Sequence, residues 1–72
     1  MKIMRVNEVL TRLDDAEIVK IRTNRLCLKG TKLQLLHDKA FYNCKVGDML
    51  VTHLGICDTI LGVGLFIKGE KL

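Results

Sequence analysis

The chain has 72 residues, room for one domain, and 49% of them are hydrophobic, which is enough for a core of that size. Twelve Lys and Arg against eight Asp and Glu give a net charge of +4, which favours acidic partners but is not the dense basic run of a nucleic-acid tail. Three cysteines without a CxxC pair, and no apolar run after Met1 long enough for a signal peptide, argue against secretion and predict a cytoplasmic protein with no membrane partner.

The chain begins with a pattern typical of an amphipathic helix. Apolar residues recur at steps of three and four from Ile3 to Leu13, with polar residues on the opposite side. Asp14 and Asp15 end the pattern, because Asp competes for backbone hydrogen bonds and suits a turn. We expect this helix within residues 1–15.

Residues 17–29 alternate between apolar and polar side chains around Thr23 and Asn24, which predicts a β-hairpin. In this register the apolar side chains face the core and the basic ones face solvent. A further basic residue follows the second strand. The candidate residues for binding an acidic partner are Lys20, Arg22, Arg25, Lys29 and Lys32.

The second half of the chain predicts a short helix and a second, apolar hairpin. Gly30 and Thr31 form a break and a cap before an apolar stripe, which indicates a helix within residues 31–41. The hairpin occupies residues 46–67. Its parts are a turn at 46–48, a strand over 49–54, a second turn over 55–58 and a strand over 59–67, before a tail at 69–72.

The order α-β-β-α-β-β predicts one α+β domain, in which an antiparallel sheet of about four strands carries two short helices on one face. A mostly-β barrel is the alternative if residues 33–40 are not helical, because the turn at 46–48 is also how strands begin in small barrels. A circular-dichroism spectrum without helix would favour the barrel.

The segments Asn7 to Leu10 and Leu13 to Ile21 form a helix that ends in an acidic turn and continues into a strand. This junction resembles the opening of small proteins of unassigned function encoded by phages and prophages of Gram-positive bacteria, in which a capped short helix and a closing hairpin follow. This chain departs from them in being basic. The resemblance implies a phage or mobile-element origin and supplies no catalytic residue.

The sequence supports neither a metal site nor catalysis. Five residues could ligate zinc, but structural zinc sites usually contain close Cys pairs, which are absent from Cys27, His37, Cys44, His53 and Cys57. A cysteine nucleophile needs a partnered base, and Gly62 and Gly64 do not belong to a phosphate loop. We expect no cofactor and no enzymatic activity.

The basic hairpin could meet phosphates or an acidic protein surface, although an ordinary solvated sheet face explains the same residues. The hairpin has no aromatic residue on this face, which counts against base stacking. The second hairpin is apolar on both faces of its strands, so one face could pair with another copy of the chain. The candidate interface residues are Val51, Leu54, Ile60 and Phe66.

These patterns favour a small protein-interaction module that binds a host or phage protein through its sheet, with a homodimer preferred to a monomer. The alternative is a nucleic-acid-binding accessory protein that uses the basic hairpin.

Overall fold

The computed structural model describes residues 4–60 and 62–71. In chain order the described elements are α1 (Val6–Leu10), β1 (Ile18–Arg22), β2 (Cys27–Thr31), α2 (Lys32–Leu36), α3 (Lys39–Asn43), a 3-10 helix (Val46–Asp48), β3 (Leu50–Thr59) and β4 (Gly62–Glu70). The parts of the predicted first helix, second hairpin and tail that fall on residues 1–3, 61 and 72 lie outside the described residues.

The four strands form one sheet in the order β2-β1-β4-β3. Both predicted hairpins are present, because β1 pairs antiparallel with β2 and β3 pairs antiparallel with β4. The hairpins join through β1 and β4, which run parallel, with Val19 beside Leu65. The α+β class is therefore confirmed, but the prediction of a purely antiparallel sheet is wrong. The alternation of apolar and polar residues predicts which strands pair within a hairpin. It does not indicate how strands that are far apart in the chain pair with each other.

The turn of the first hairpin satisfies its own backbone groups. The Thr23 N–H donates to the Leu26 carbonyl at 2.8 Å, and the Thr23 hydroxyl oxygen accepts from the Leu26 N–H at 3.0 Å and the Arg25 N–H at 3.3 Å. These bonds keep the turn over Thr23 to Leu26 and fix the register of the two strands. As a result Lys20 lies directly opposite Lys29.

The predicted helix over residues 31–41 is divided into two helices, so the chain has more helices than the two predicted. Thr31 caps α2, since its hydroxyl oxygen accepts from the Gln34 N–H at 3.2 Å while the Gln34 amide oxygen accepts from the Thr31 N–H at 2.9 Å. Asp38 then caps α3, because its carboxylate accepts from the Ala40 N–H at 2.8 Å. Asp is favoured at such a cap and unfavourable inside a helix, which explains the division.

The turn of the second hairpin lies later than predicted. β3 continues through Gly55 to Thr59, so the predicted turn over residues 55–58 is wrong. The Thr59 hydroxyl donates to the Gly62 carbonyl at 2.7 Å and closes the hairpin. Gly62 has a φ of 127°, in the region that glycine adopts readily, whereas Gly55 is not among the residues with positive φ and remains in the strand.

A β-bulge near the start of β3 changes which side chains share a face. The register shifts between Val51 and His53, so that Val51 pairs with Gly69 and Leu54 pairs with Ile67. Ile67 and Gly69 are two residues apart on β4 and lie on one face. Val51 and Leu54 therefore share that face too, although uninterrupted alternation would place them on opposite faces.

The helices all pack on one side of the sheet, termed the inner face. The sheet contributes one buried apolar layer to the core and the helices contribute the other. The buried hydrophobic residues form a single cluster made of Val6, Val9, Leu10, Val19, Ile21, Leu28, Leu35, Phe41, Val46 and Ile67. Helices on a single face agree with the prediction, and no described helix covers the other face of the sheet.

Candidate functional site

The side of the sheet opposite the helices has no buried residue among the described strands and is termed the open face. Residues paired across neighbouring strands lie on the same side of a pleated sheet, so the registers identify its members. These are Ile18, Lys20, Arg22, Cys27, Lys29, Thr31, Leu50, His53, Gly55, Cys57, Thr59, Gly62, Gly64, Phe66, Lys68 and Glu70.

Two neighbouring rows across the open face contain most of its positive charge. From β2 to β3, the first row consists of Lys29, Lys20, Phe66 and Gly55. In the same direction, the second row consists of Cys27, Arg22, Lys68 and His53. Neither row contains an acid, and Glu70 near the end of β4 is the single carboxylate on the described part of this face. The two rows therefore form one basic surface across the sheet, which we term the basic rows.

The cations of the basic rows have no neutralising partner in the described part of the chain. The one ion pair there joins Lys32 to Asp15, on another part of the surface. Lys20 and Lys29 are directly opposite each other, and Arg22 is beside Lys68. Like charges in such cross-strand positions are destabilising, so the arrangement has a cost that a bound polyanion would offset.

The structure brings only part of the predicted basic set together. Lys20, Arg22 and Lys29 lie in the basic rows, whereas Arg25 lies in the hairpin turn. Lys32 is directed elsewhere, since its Nζ donates to the Leu13 carbonyl at 2.8 Å and lies 4.0 Å from the Asp15 carboxylate. With only 14% of its side chain exposed, Lys32 fastens α2 to the segment after α1 and does not belong to the open face.

Local sequence patterns do not indicate that β4 extends this basic surface. Lys68 and Phe66 join it because β4 pairs in parallel with β1, and His53 joins it through β3. The basic hairpin itself has no aromatic residue, but the assembled sheet places Phe66 of β4 directly beside Lys20. The local signal for Phe66 was its alternation with Leu65, which placed it away from the core but not beside the lysines.

Phe66 is partly exposed, and its neighbour on β3 is Gly55, which has no side chain. A Cβ atom built on Gly55 would meet nothing within 4 Å. On its other side, Phe66 neighbours Lys20. The ring thus lies between a cation and open space, near the middle of a surface that has no helix over it.

The predicted interface residues do not form one surface. Val51 and Leu54 lie on the inner face because of the bulge, Ile60 lies in the turn of the second hairpin, and Phe66 lies on the open face. Two of them, Leu54 and Ile60, belong to an apolar surface that is exposed towards the turn between β3 and β4. Its members, termed the apolar tip, are Leu54 (53% exposed), Ile56 (81%), Ile60 (98%) and Val63 (66%).

The cysteines and histidines are dispersed. Cys27 and Cys44 are exposed and Cys57 is partly exposed, all as free thiols. Within residues 4–60 and 62–71, no three His, Cys, Asp or Glu side chains come together in a way that could hold a metal ion. Cys27 and His53 are at opposite edges of the same row, separated by two strands.

No helix in the described part of the chain has the length and hydropathy that crossing a membrane requires. Comparison with known proteins adds no further assignment: no protein-family model matches the chain, and neither a curated protein nor a solved structure is significantly similar to it.

Proposed function

We propose that the chain is a small, non-enzymatic nucleic-acid-binding accessory protein that contacts phosphates through the basic rows. The observation that supports this best is the clustering of Lys20, Arg22, Lys29 and Lys68 in two rows that contain no acid, on a sheet face that no described helix covers. Lys and Arg side chains that neutralise phosphates release bound counterions, which is the main source of affinity in such complexes. We further propose that it acts in the cytoplasm, of a bacterial host if the chain is phage-encoded.

Salt dependence tests this proposal directly. Four phosphate contacts on a single strand predict a slope of log affinity against log salt concentration of about −3. A fourfold rise in salt should then weaken binding of a fluorescent oligonucleotide by about 50-fold. The test variant is Lys20→Glu with Lys29→Glu, which should reduce both the affinity and the slope.

A matched control variant separates the effect of the basic rows on binding from the effect of net charge. Arg12→Glu with Lys39→Glu changes the charge by the same amount at two exposed positions outside the sheet. This control should retain most of the binding. Equal losses in the two double variants would mean that net charge alone drives association, and a wild-type protein without salt-dependent binding would end the proposal.

A second candidate is the protein-interaction module that the sequence patterns favour, binding a host or phage protein. The apolar tip supports it, because monomeric proteins seldom expose a contiguous group of large aliphatic side chains without a partner. Beyond Val51, the outer edge of β3 also has no paired strand among the described residues, so a partner could extend the sheet there.

Co-purification after nuclease treatment distinguishes this candidate from the first. Wild-type protein should retain a stoichiometric protein partner, and Ile56→Lys should lose it. Leu33→Lys, at an exposed leucine of α2, is the matched control and should keep the partner. If nothing but nucleic acid co-elutes before treatment and nothing remains afterwards, the module hypothesis is rejected.

A further inference from the structure

We infer that the open face binds single-stranded nucleic acid in particular, with Phe66 as a stacking platform for a base; this inference rests on the proposed nucleic-acid function. Phe66 is the neighbour of Lys20 in the first row and lies one row away from Arg22 and Lys68. An aromatic ring flanked by cations is the combination that single-strand binders use, since the cations hold the backbone while a base stacks on the ring.

The space beside the ring supports a stacking role. Gly55 is the residue paired with Phe66 on β3, and a Cβ at Gly55 would have no heavy atom within 4 Å. Directly opposite side chains in an antiparallel pair are only about 5 Å apart, so any larger residue at this position would lie against the ring. Glycine instead leaves that side of Phe66 open to a flat ligand.

The width of the sheet favours a single strand over a duplex. Four strands at a spacing of about 4.8 Å are about 14 Å across between the outer backbones, before side chains are added. The major groove of B-form DNA is about 12 Å wide and admits a helix or a two-stranded ribbon. A duplex could therefore meet this face only through its phosphates, whereas an unpaired strand offers phosphates to the lysines and a base to Phe66.

The charge pattern agrees with a strand that crosses the β-strands. The first row places Lys29 and Lys20 on one side of Phe66, and the second row places Arg22 and Lys68 next to them. A backbone that crosses β2, β1 and β4 would contact these cations, while a base extends over Phe66 towards the open position at Gly55. Stacking on an aromatic ring tolerates every base, so we expect little sequence preference and no discrimination between DNA and RNA.

Fluorescence anisotropy with a labelled oligothymidylate tests the inference. The oligonucleotide should have about 16 nucleotides, because single-strand binding domains of the OB fold cover up to about that number. Phe66→Leu removes the ring and keeps an apolar side chain, and it should weaken binding by about 5-fold to 150-fold, the range found for loss of one stacked base. Its salt slope should remain that of the wild-type protein, because no phosphate contact is lost. Phe66→Tyr should bind like the wild-type protein.

Gly55→Ile provides a second variant that removes nothing from the core. Its side chain would enter the open space beside Phe66 and should obstruct stacking, with a loss of affinity in the same range as Phe66→Leu. Circular dichroism and thermal unfolding confirm that both variants are folded. Oligouridylate of equal length should bind like oligothymidylate, and an unlabelled duplex of equal length should compete at least 10-fold less well than the single strand.

The outcomes separate this inference from the function on which it rests. If Phe66→Leu and Gly55→Ile bind like the wild-type protein while Lys20→Glu with Lys29→Glu does not, the stacking platform is rejected and phosphate binding stands. If the duplex competes as well as the single strand, the preference for single strands is rejected. If the wild-type protein binds neither probe, both proposals fail.

Discussion

Two glycines of the open face differ in what a methyl group would contact. A Cβ at Gly64 would lie 2.6 Å from the Ile18 carbonyl oxygen, whereas a Cβ at Gly55 would meet nothing within 4 Å. We expect Gly64→Ala to destabilise the fold by about 1–3 kcal/mol because the β1–β4 contact must shift. Gly55→Ala should be neutral or stabilising by up to about 1 kcal/mol, since glycine is unfavourable in a strand.

Urea unfolding of the two glycine variants measures this difference as a shift of the midpoint at constant m-value. Gly55→Ala serves as the control for Gly64→Ala, because the same substitution is made on the same face. Equal midpoints would mean that the close approach of Gly64 to Ile18 does not constrain the sheet.

At the Lys20–Lys29 pair, we expect a substitution that raises the stability of the fold to lower the affinity for nucleic acid. Lys29→Glu turns a repulsive cross-strand pair into an attractive one and should stabilise the fold by about 0.2–1 kcal/mol. The same change should lower affinity for oligonucleotides. Lys29→Gln, which only removes the repulsion, should give intermediate values of both. A less stable Lys29→Glu protein in thermal unfolding would contradict this account.

The candidate site could be predicted from the sequence only where local alternation determines it. Lys20, Arg22 and Lys29 were identified because a hairpin places alternate residues on one side. Phe66 and Lys68 were not associated with them, since only the parallel pairing brings β4 alongside β1. Proximity in sequence to the basic hairpin predicts that Lys32 belongs to the same surface, but the Leu13 carbonyl, 19 residues earlier in the chain, accepts a hydrogen bond from its ammonium group.

At the scale of elements, one carboxylate determines where α3 begins. The Asp38 side chain accepts from the Ala40 N–H at 2.8 Å. We expect Asp38→Ala to cost about 0.5–2 kcal/mol, as for other lost N-caps. Each kcal/mol should lower the melting temperature by about 4–8 °C in a domain of this size. Asp38→Asn, which keeps an acceptor oxygen, should lose much less; an equal loss would show that the cap is not the cause.

Each element whose position was predicted wrongly has a local physical cause that periodicity does not reveal. The apolar stripe over residues 31–41 is continuous across Asp38, so periodicity alone predicts one helix where a cap creates two. Glycine is common in turns, so its presence at Gly55 predicts a turn, but this residue stays extended in β3. The bulge between Val51 and His53 leaves no local mark in the sequence, and it changes the face of every residue before it.

For the whole molecule, we propose a homodimer in which the apolar tip and the edge of β3 over residues 52–58 form the contact. The start of β3 is paired with the Met4 to Val6 segment, with the Val51 N–H donating to the Met4 carbonyl at 2.8 Å, and no described strand pairs with that edge over residues 52–58. We expect sedimentation equilibrium to show a dimer that Ile56→Lys dissociates and Leu33→Lys does not. A wild-type monomer at all concentrations would contradict the expectation.

The Ile56→Lys substitution should also leave stability almost unchanged, within about 0.5 kcal/mol, because Ile56 is 81% exposed within one chain. Thermal unfolding at low protein concentration, where a dimer would be dissociated, measures the effect of the substitution on the stability of the single chain. A large loss of stability under those conditions would mean that Ile56 contributes to the core.

The parallel pairing of β1 with β4 also has a consequence for biosynthesis. Val19 and its partner Leu65 are 46 residues apart, so β1 has a neighbour on only one side until the ribosome has added β4. The hairpin ends at Thr31, 34 residues before Leu65. At about 5–20 residues per second, the edge of β1 that faces β4 therefore remains unpaired for roughly 2–7 seconds. The newly made chain is therefore open to chaperones or to aggregation in this interval, and complete assembly of the sheet is a late, non-local event in its folding.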